Sequence, residues 1–204
     1  TIATSTNGAG SGVFPDVTCE VTDGTLGIEV VGVNDVWYKA DNFRLTYLGH
    51  NLTLDETGDA GSVDDWYTSV TVNRTIKPNT WSTFVVPFSM TKPEGWEVKK
   101  LTNSTMNGDN ITLTFSDADA IEAGVPYMVR VASDVSKIEV ENVTVNTALN
   151  DAIADHIDFV GVYANGYVPE GSFFISSNTF YRAADNTNKM KAFRAYLQPK
   201  DGAN

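Results

Sequence analysis

The sequence has very little cysteine and few basic residues. Cys19 is the only cysteine among 204 residues, so the chain can form no intramolecular disulfide and offers no thiolate cluster for zinc or iron. Lysine and arginine total 14 against 26 acidic residues, and the formal net charge is −12. Sequence-independent binding to nucleic acid needs clustered cations that release counterions from phosphates. The charge balance therefore argues against a nucleic-acid partner.

Long apolar runs are absent, and helical spacing is rare. No stretch reaches the roughly eighteen consecutive apolar residues of a membrane-spanning helix, so the sequence predicts no membrane insertion. Helical spacing occurs only in residues 147–157, through Leu149, Ile153 and Ile157. This segment predicts one short helix at most.

Recognisable nucleophiles and metal-ligand spacings are missing as well. No Gly-x-Ser-x-Gly turn occurs, and Cys19 lies between Thr18 and Glu20 without an evident base. His50 and His156 are far apart in sequence and have no companion at ligand spacing, so we interpret them as surface or helix-end histidines. The sequence predicts no metal cluster of histidines and no acyl-transfer chemistry.

Pairs of carboxylates could in principle hydrolyse glycosides. Such pairs are abundant in this acidic chain, at Asp64-Asp65, Asp117/Asp119 and Glu139/Glu141. Abundance reduces their value as evidence, and we interpret them as solvated turns. We expect no catalytic residue and predict that the chain is not an enzyme.

Alternating apolar and polar residues dominate the remainder of the sequence. Ile111, Leu113 and Phe115, for example, alternate with polar neighbours, and turn-forming residues separate such runs at short intervals. The phase of the alternation slips at residues 141–142, which predicts a β-bulge. These patterns predict an all-β chain, an antiparallel β-sandwich with many hairpins.

The domain organisation follows from where the alternation stops. Acidic residues and glycines replace it in LDETGDAGSVDD, so residues 54–65 are predicted to be a linker. The other predicted segments are a flexible terminus (1–12), a partial β-sandwich (13–53), a complete C-terminal β-sandwich (66–198) and a tail (199–204).

Five stretches after the predicted linker occur in an order that resembles a known group of proteins. They are SVTVNRTIKPNTWSTFVVPFSM (69–90), ADAIEAGVPYMVRV (118–131), IDFVGVY (157–163), VPEGSFFIS (168–176) and KAFRAYL (191–197). Residues 66–198 resemble a β-rich C-terminal module of modular surface proteins from Bacteroidota. The resemblance implies a secreted or cell-surface location. Within these stretches, Arg74 and Arg194 are interpreted as arginines that stack or pair at a core edge, with ligand binding as the alternative.

The first part of the chain resembles a different architecture. The stretch DVTCEVTDGTLGIEVVGVNDVWYKADNFRLTYLG, within residues 13–49, is similar to the final strands of galactose-binding-like jelly rolls, including carbohydrate-binding modules. The resemblance implies a structural Ca²⁺ with Asp41 as a ligand; the alternative is that Asp41 accepts hydrogen bonds from loop amides. So short a piece cannot bury enough surface alone. We expect it to dock on the second module, to pair with another copy, or to belong to a longer protein.

Aromatic side chains near turns are candidates for ligand binding, because sugar rings pack on exposed tryptophan and tyrosine. These candidates are Trp66, Tyr67, Trp96, Tyr163 and Tyr167. The leading hypothesis is a non-catalytic module of a secreted or cell-surface bacterial protein that serves adhesion or glycan binding, with glycans or surface proteins as partners. The alternative is a structural spacer or C-terminal assembly module, and a glycoside-active enzyme is the least favoured.

Overall fold

The computed structural model describes residues 17–19, 21, 25–28, 44–46, 49–108 and 110–200. The chain divides into two compact units, Thr1–Tyr47 and Leu48–Asn204. The described residues of the first unit lie in no helix or strand, and Cys19 among them is a free, half-buried thiol. Asp41 lies outside the described residues, so the galactose-binding-like architecture and the calcium ion remain predictions.

The second unit consists of β-strands joined by turns and loops. No helix occurs in residues 49–108 and 110–200, and nowhere in the described part of the chain does a helix have the length and apolarity needed to cross a membrane. The strands are β1 (Asn51–Asp55), β2 (Asp65–Ile76), β3 (Ser82–Phe84), β4 (Met90–Thr91), β5 (Trp96–Asn107), β6 (Asn110–Asp117), β7 (Ala120–Ile121), β8 (Tyr127–Val131), β9 (Val135–Val145), β10 (Ala152–Ile153), β11 (Ile157–Val162), β12 (Gly166–Tyr167), β13 (Phe173–Ser176), β14 (Thr179–Arg182), β15 (Lys189–Met190) and β16 (Arg194–Pro199).

Two of the sheets pack against each other around a shared core. A four-stranded sheet has the order β3-β8-β5-β6, and a five-stranded sheet has the order β10-β11-β16-β13-β14. Leu101 and Met128 of the first sheet pack with Phe159 and Leu197 of the second. Phe115, at the predicted inward position of β6, meets Phe159 edge-on with ring centroids 6.0 Å apart. The predicted all-β sandwich class is confirmed.

A third sheet, ordered β1-β2-β9, contributes to a second and larger core. The change of phase at 141–142 is present in β9, where Asn142 has a positive φ of 51°, but the β-bulge predicted from it is not found there. In the partner strand β2 the alternation of buried residues also changes phase, between Tyr67 and Val70. Because both strands change phase at the same point, their pairing register is the same before and after it. The register shift between β2 and β9 lies elsewhere, between Asn73 and Ile76.

The short helix allowed by the sequence at residues 147–157 does not form. This segment contains β10 and leads into β11, with which β10 forms an antiparallel pair. Ile153 is 76% exposed and Ile157 only 2% exposed, whereas a helix would place both on one face. The apolar spacing thus comes from two short strands that use different faces.

The prediction of a linker at residues 54–65 is wrong. Its first residues belong to β1, which pairs in parallel with β2, and both Leu54 and Ala60 are buried in the larger core. Glu56 is also buried. The acidic composition suggested a solvated segment. The buried carboxylate of Glu56, however, pairs with Lys191 and Arg194, which lie far along the chain. The boundary between the compact units lies earlier, between Tyr47 and Leu48.

Candidate ligand-binding surface

Two of the five predicted aromatic candidates lie in the core. The hydroxyl of Tyr67 donates to the carbonyl oxygen of Val63 at 3.1 Å, and its ring lies 4.4 Å from that of His50. Tyr163 is buried beside Phe193, with ring centroids 5.9 Å apart, and burial raises the pKa of its hydroxyl. Neither ring can serve as a platform for a ligand.

The other three candidates do not form a single row. Trp96 is half-buried and meets Phe84 edge-on at 5.5 Å, so it belongs to the core margin. Trp66 is 46% exposed on β2 of the three-stranded sheet, and Tyr167 is 55% exposed on β12 of a two-stranded sheet. Exposed aromatic surface therefore remains at Trp66 and Tyr167, on different sheets.

A further exposed aromatic surface lies on the hairpin of β13 and β14. Ser177 and Asn178 connect these strands with positive φ values of 49° and 64°, the geometry of a two-residue type I′ turn. This register places Phe174 opposite Tyr181, and their rings stack at 5.9 Å with an interplanar angle of 28°. Tyr181 is 47% exposed, and all four residues of the edge strand β14 are exposed.

The stacked pair continues onto the neighbouring strand. Phe173 pairs with Leu197 in the antiparallel β13–β16 ladder, so Phe174 and Tyr196 lie side by side on the opposite face. Both pack against a small buried cluster, which consists of Val168, Ala183 and Met190. Burial raises the pKa of the Tyr196 hydroxyl, and the charge of Asp151 adds to the effect. An aromatic row thus crosses β14, β13 and β16 and ends in an exposed ring.

The small cluster also connects this row to Tyr167. Tyr167 immediately precedes Val168, a cluster member, and Tyr181 stacks on Phe174, which packs against the cluster. Both exposed tyrosines are therefore connected to one buried cluster, Tyr167 along the chain through Val168 and Tyr181 through Phe174. We call the surface formed by Tyr167, Tyr181, Phe174 and Tyr196 the tyrosine margin.

The chain matches no family model, no curated protein and no solved structure. The chemistry of the tyrosine margin must therefore be read from its own residues.

Sequence reasoning selected Tyr167 but missed Tyr181. A usable signal was present in FFISSNTFYR, where Ser177-Asn178 can adopt the left-handed conformation of a tight turn. Counting outward from that turn pairs Phe174 with Tyr181, as the structure does. The exposure of Tyr181 could not be read in this way, because it depends on β14 being the last strand of its sheet.

Arg74 has a structural role in the core. It is almost fully buried, donates to the carbonyl oxygens of Phe193 and Thr83, and lies over the ring of Phe84 at 5.4 Å from the centroid. Burial lowers the pKa of its guanidinium, and the nearby charge of Arg194 acts in the same direction. The predicted stacking role is found, but in the core centre and not at its edge.

Glu56 forms ion pairs with two further cations near Arg74. Its carboxylate accepts from Lys191 at 2.7 Å and from Arg194 at 2.8 Å. Burial raises the pKa of Glu56, but the hydrogen bond from Lys191 and the charges of Lys191 and Arg194 lower it below its ordinary value of 4.5. The cluster links the loop after β1 to the closing strand β16, so Arg194 pairs as expected and is not available to a ligand.

At least one carboxylate in each pair considered for glycoside hydrolysis has a partner. Asp64 accepts hydrogen bonds from the backbone and hydroxyl of Thr147, and Asp117 forms an ion pair with Lys99. These partners lower the pKa of both carboxyls, whereas a general acid needs a raised pKa. Asp119 and Glu139 are likewise paired with lysines.

No metal cluster is evident either. Across the described ranges of the chain, no three histidine, cysteine or acidic side chains are grouped to hold a metal ion. The ring of His50 bonds through Nδ1 to the carbonyl oxygen of Trp66, and the backbone N–H of His156 donates to Ser104. Each histidine thus has its own hydrogen-bond partner.

Proposed function

We propose that this chain is a non-catalytic module of a secreted or cell-surface bacterial protein and that it binds glycans at the tyrosine margin. The observation that carries the proposal is the stack of Tyr181 on Phe174, which leaves 47% of Tyr181 exposed. An aromatic ring held on one side by a half-buried partner offers its other side to a ligand at little cost in conformational entropy. Sugar rings present apolar CH faces that suit such a platform.

Polar side chains flank the platform. Ser176 and Thr179 are exposed, pair with each other across the hairpin, and lie on the same face as Phe174 and Tyr181 because side chains alternate along a strand. Their hydroxyls can donate to and accept from sugar hydroxyls. An exposed ring bordered by hydroxyl groups is the usual composition of a shallow carbohydrate site.

The proposed location rests on the resemblance of residues 66–198 to surface modules of Bacteroidota. The single cysteine and the high acidity are compatible with it. The non-catalytic character is supported by the carboxylates of Asp64 and Asp117, whose partners favour the ionised form.

A glycan array tests the proposal, with the purified chain, its Tyr181→Ala variant and a Phe180→Ala control. Phe180 is the matched control because it is 41% exposed on the same strand but on the opposite face. We expect the wild-type chain and Phe180→Ala to bind the same sugars, and Tyr181→Ala to lose roughly tenfold or more in affinity, as when one base–aromatic stack is removed.

The array should be run with calcium and with chelator because Asp41 is the proposed calcium ligand. Loss of binding in chelator, together with the same loss in Asp41→Asn, would support a metal-dependent site in the first part of the chain. Binding that requires Tyr181 in both buffers supports the tyrosine margin. Binding that is equal in wild type and Tyr181→Ala would place the glycan site elsewhere.

A rigid spacer or assembly module is the second candidate. It is favoured by the burial of Tyr67 and Tyr163 and by the way Arg74 ties β2 to the segment before β16. A blank array in both buffers, with all variants folded, would favour this candidate over glycan binding.

A further inference from the structure

Strand β6 is a long sheet edge with little charge. It is the last strand of the four-stranded sheet and consists of eight residues, Asn110–Asp117. None of residues 110–116 is charged, although the formal net charge of the whole chain is −12. The edge strand β9 is longer, but Lys137, Glu139 and Glu141 lie along it. Charged side chains protect a sheet edge from pairing with other chains, and residues 110–116 lack that protection.

The outer backbone groups of β6 are open to a partner strand. Thr102 Oγ1 donates to the carbonyl oxygen of Thr114 at 3.1 Å, so the backbone of Thr114 faces β5. Along an antiparallel strand, the backbone groups of successive residues point to opposite sides. Those of Ile111, Leu113 and Phe115 therefore point away from β5. In residues 49–108 and 110–200, β5 is the only strand that pairs with β6.

The same three residues form an apolar row that is only partly covered. Their side chains are half-buried on the inner face of β6. Leu113 and Phe115 pack against the core between the two sheets. Ile111 lies farther along the row and pairs with Met106, which is 42% exposed. A strand added beside β6 would cover this row and extend the core.

We propose that β6 pairs with β6 of a second copy of this chain, in antiparallel orientation about a two-fold axis at Leu113. Leu113 then lies opposite Leu113 of the second copy, and Ile111 lies opposite Phe115 of the second copy. All of these residues direct their backbone groups outward, so the register forms three hydrogen-bonded pairs with about six main-chain hydrogen bonds.

The side chains of β6 are complementary to themselves in this register. On the inner face the two apolar rows meet, and a pair of an aromatic and a β-branched residue is favourable. On the outer face Thr112 lies opposite Thr114 of the second copy, and both are exposed and can hydrogen-bond across the strands. Asp117 lies beyond the paired segment and forms an ion pair with Lys99. A second copy thus supplies a matching strand and places no like charges opposite each other within residues 110–116.

Pairing at β6 uses no residue of the tyrosine margin. The exposed rings of that margin lie on β12 and β14, which belong to other sheets. The dimer therefore presents two tyrosine margins, and two linked sites bind a surface of repeated ligands more tightly than one site does. The inference does not depend on glycan binding, because a dimer also suits the assembly module considered as the second candidate.

Sedimentation velocity of the whole chain tests for the dimer. A single pair of strands makes a small interface, so we expect a weak dimer, with the mass of two chains at roughly 10–100 μM. Amide hydrogen exchange measured by NMR identifies the surface. Exchange at Leu113 should slow as the concentration rises, whereas exchange at Thr114, whose backbone faces β5, should not change.

Lysine substitutions test the interface. Thr112→Lys together with Thr114→Lys places like charges opposite each other twice, so it should weaken the dimer by roughly tenfold or more. Thr105→Lys is the matched control, because Thr105 is an exposed residue that pairs with Thr112 but lies on β5, away from the edge. It should change the dissociation constant by no more than about twofold, since a charge at that distance is screened by salt.

A charge reversal tests the register itself. Thr112→Lys together with Thr114→Glu places a lysine opposite a glutamate at both positions. It should therefore bring the dissociation constant back to within about threefold of wild type. Only a register in which position 112 faces position 114 of the second copy gives this result. Circular dichroism confirms that each variant is folded.

Each remaining outcome overturns the inference. A single-chain mass at every concentration up to roughly 100 μM excludes the dimer. A dimer that tolerates both lysines, or that weakens as much in Thr105→Lys, has its interface elsewhere. Slow exchange at Leu113 that does not depend on concentration shows that β6 is covered within one chain. The glycan array is read separately, so failure of this inference and failure of the proposed function can be told apart.

Discussion

Arg74 Nη1 donates a 2.7 Å hydrogen bond to the backbone carbonyl oxygen of Phe193, a buried residue with a φ of 59°. A bulky residue rarely adopts a positive φ, and this conformation costs on the order of 1–3 kcal/mol. The backbone N–H of Phe193 is also bonded, to the carbonyl oxygen of Val162 at 2.8 Å. These bonds and the burial of the ring hold the strained segment that leads into β16.

Replacing this arginine should destabilise the protein strongly. In Arg74→Met the side chain stays long and apolar, but the carbonyl oxygens of Phe193 and Thr83 lose their buried donors. We expect the free energy of unfolding to fall by roughly 3 kcal/mol or more. Urea denaturation followed by circular dichroism measures the change.

Arg130→Met is the control for this prediction. Arg130 also stacks on an aromatic ring, at 5.1 Å from the centroid of Trp81, and it pairs with Glu97, but both partners of the ion pair are partly exposed. Its loss should cost about 1 kcal/mol or less. Equal costs for the two variants would contradict the structural role assigned to Arg74.

Gly124 and Gly108 form a second matched pair. Both have a positive φ, 77° and 60° respectively. A Cβ at Gly124 would lie 2.3 Å from the backbone oxygen of Ala148, whereas a Cβ at Gly108 would meet nothing within 4 Å. Gly108→Ala should therefore cost about 1 kcal/mol from backbone strain alone.

Gly124→Ala adds a clash with backbone to the same strain, so it should cost at least roughly 1 kcal/mol more than Gly108→Ala. Thermal unfolding of the two variants side by side measures the difference. Equal stability of Gly124→Ala and Gly108→Ala would contradict the close approach of the Ala148 backbone oxygen to Gly124.

Glu56 should make stability depend on pH in the acidic range. Lys191 and Arg194 outweigh the effect of burial, so the folded-state pKa of Glu56 lies below its ordinary value of 4.5. The unfolded chain then binds the proton more readily than the folded chain. The stabilisation is present above the ordinary pKa and is lost as the pH falls through the folded-state pKa.

Glu56→Gln should lower stability near neutral pH by about 2–3 kcal/mol, and it should flatten the loss of stability on acidification. Melting temperatures from about pH 7 to about pH 3 measure both effects. Glu97→Gln, which removes an exposed ion pair with Arg130, should have an effect of at most about 1 kcal/mol. An unchanged acid profile in Glu56→Gln would contradict the assignment.

The sequence predicts the strands better than it predicts the sites. The alternation of Ile111, Leu113 and Phe115 is a local property, and it gives both β6 and the inward direction of Phe115. The spacing of Leu149, Ile153 and Ile157 fits one helix as well as it fits two short strands. The pairing of β11 with β16 decides between these conformations. Local patterns fail where a distant strand provides the hydrogen bonds.

Burial of charged and aromatic residues is equally non-local. Glu56 looks like part of an acidic linker, yet it is buried because Lys191 and Arg194 reach it from the far end of the chain. Tyr163 and Tyr167 are four positions apart beside the same turn, and one is buried while the other is exposed. An aromatic ring is buried when another sheet covers it, and the arrangement of the sheets cannot be read from a local sequence pattern.

Binding at the tyrosine margin is tested most directly by NMR titration of the ¹⁵N-labelled chain with the tightest-binding oligosaccharide from the array. We expect the largest amide shifts at residues 166–168, 173–176, 180–183 and 188–190, with loss of these shifts in Tyr181→Ala. Shifts centred on Trp66 or on residues of the first unit, with the tyrosine margin unchanged, would contradict the assignment of the ligand to this surface.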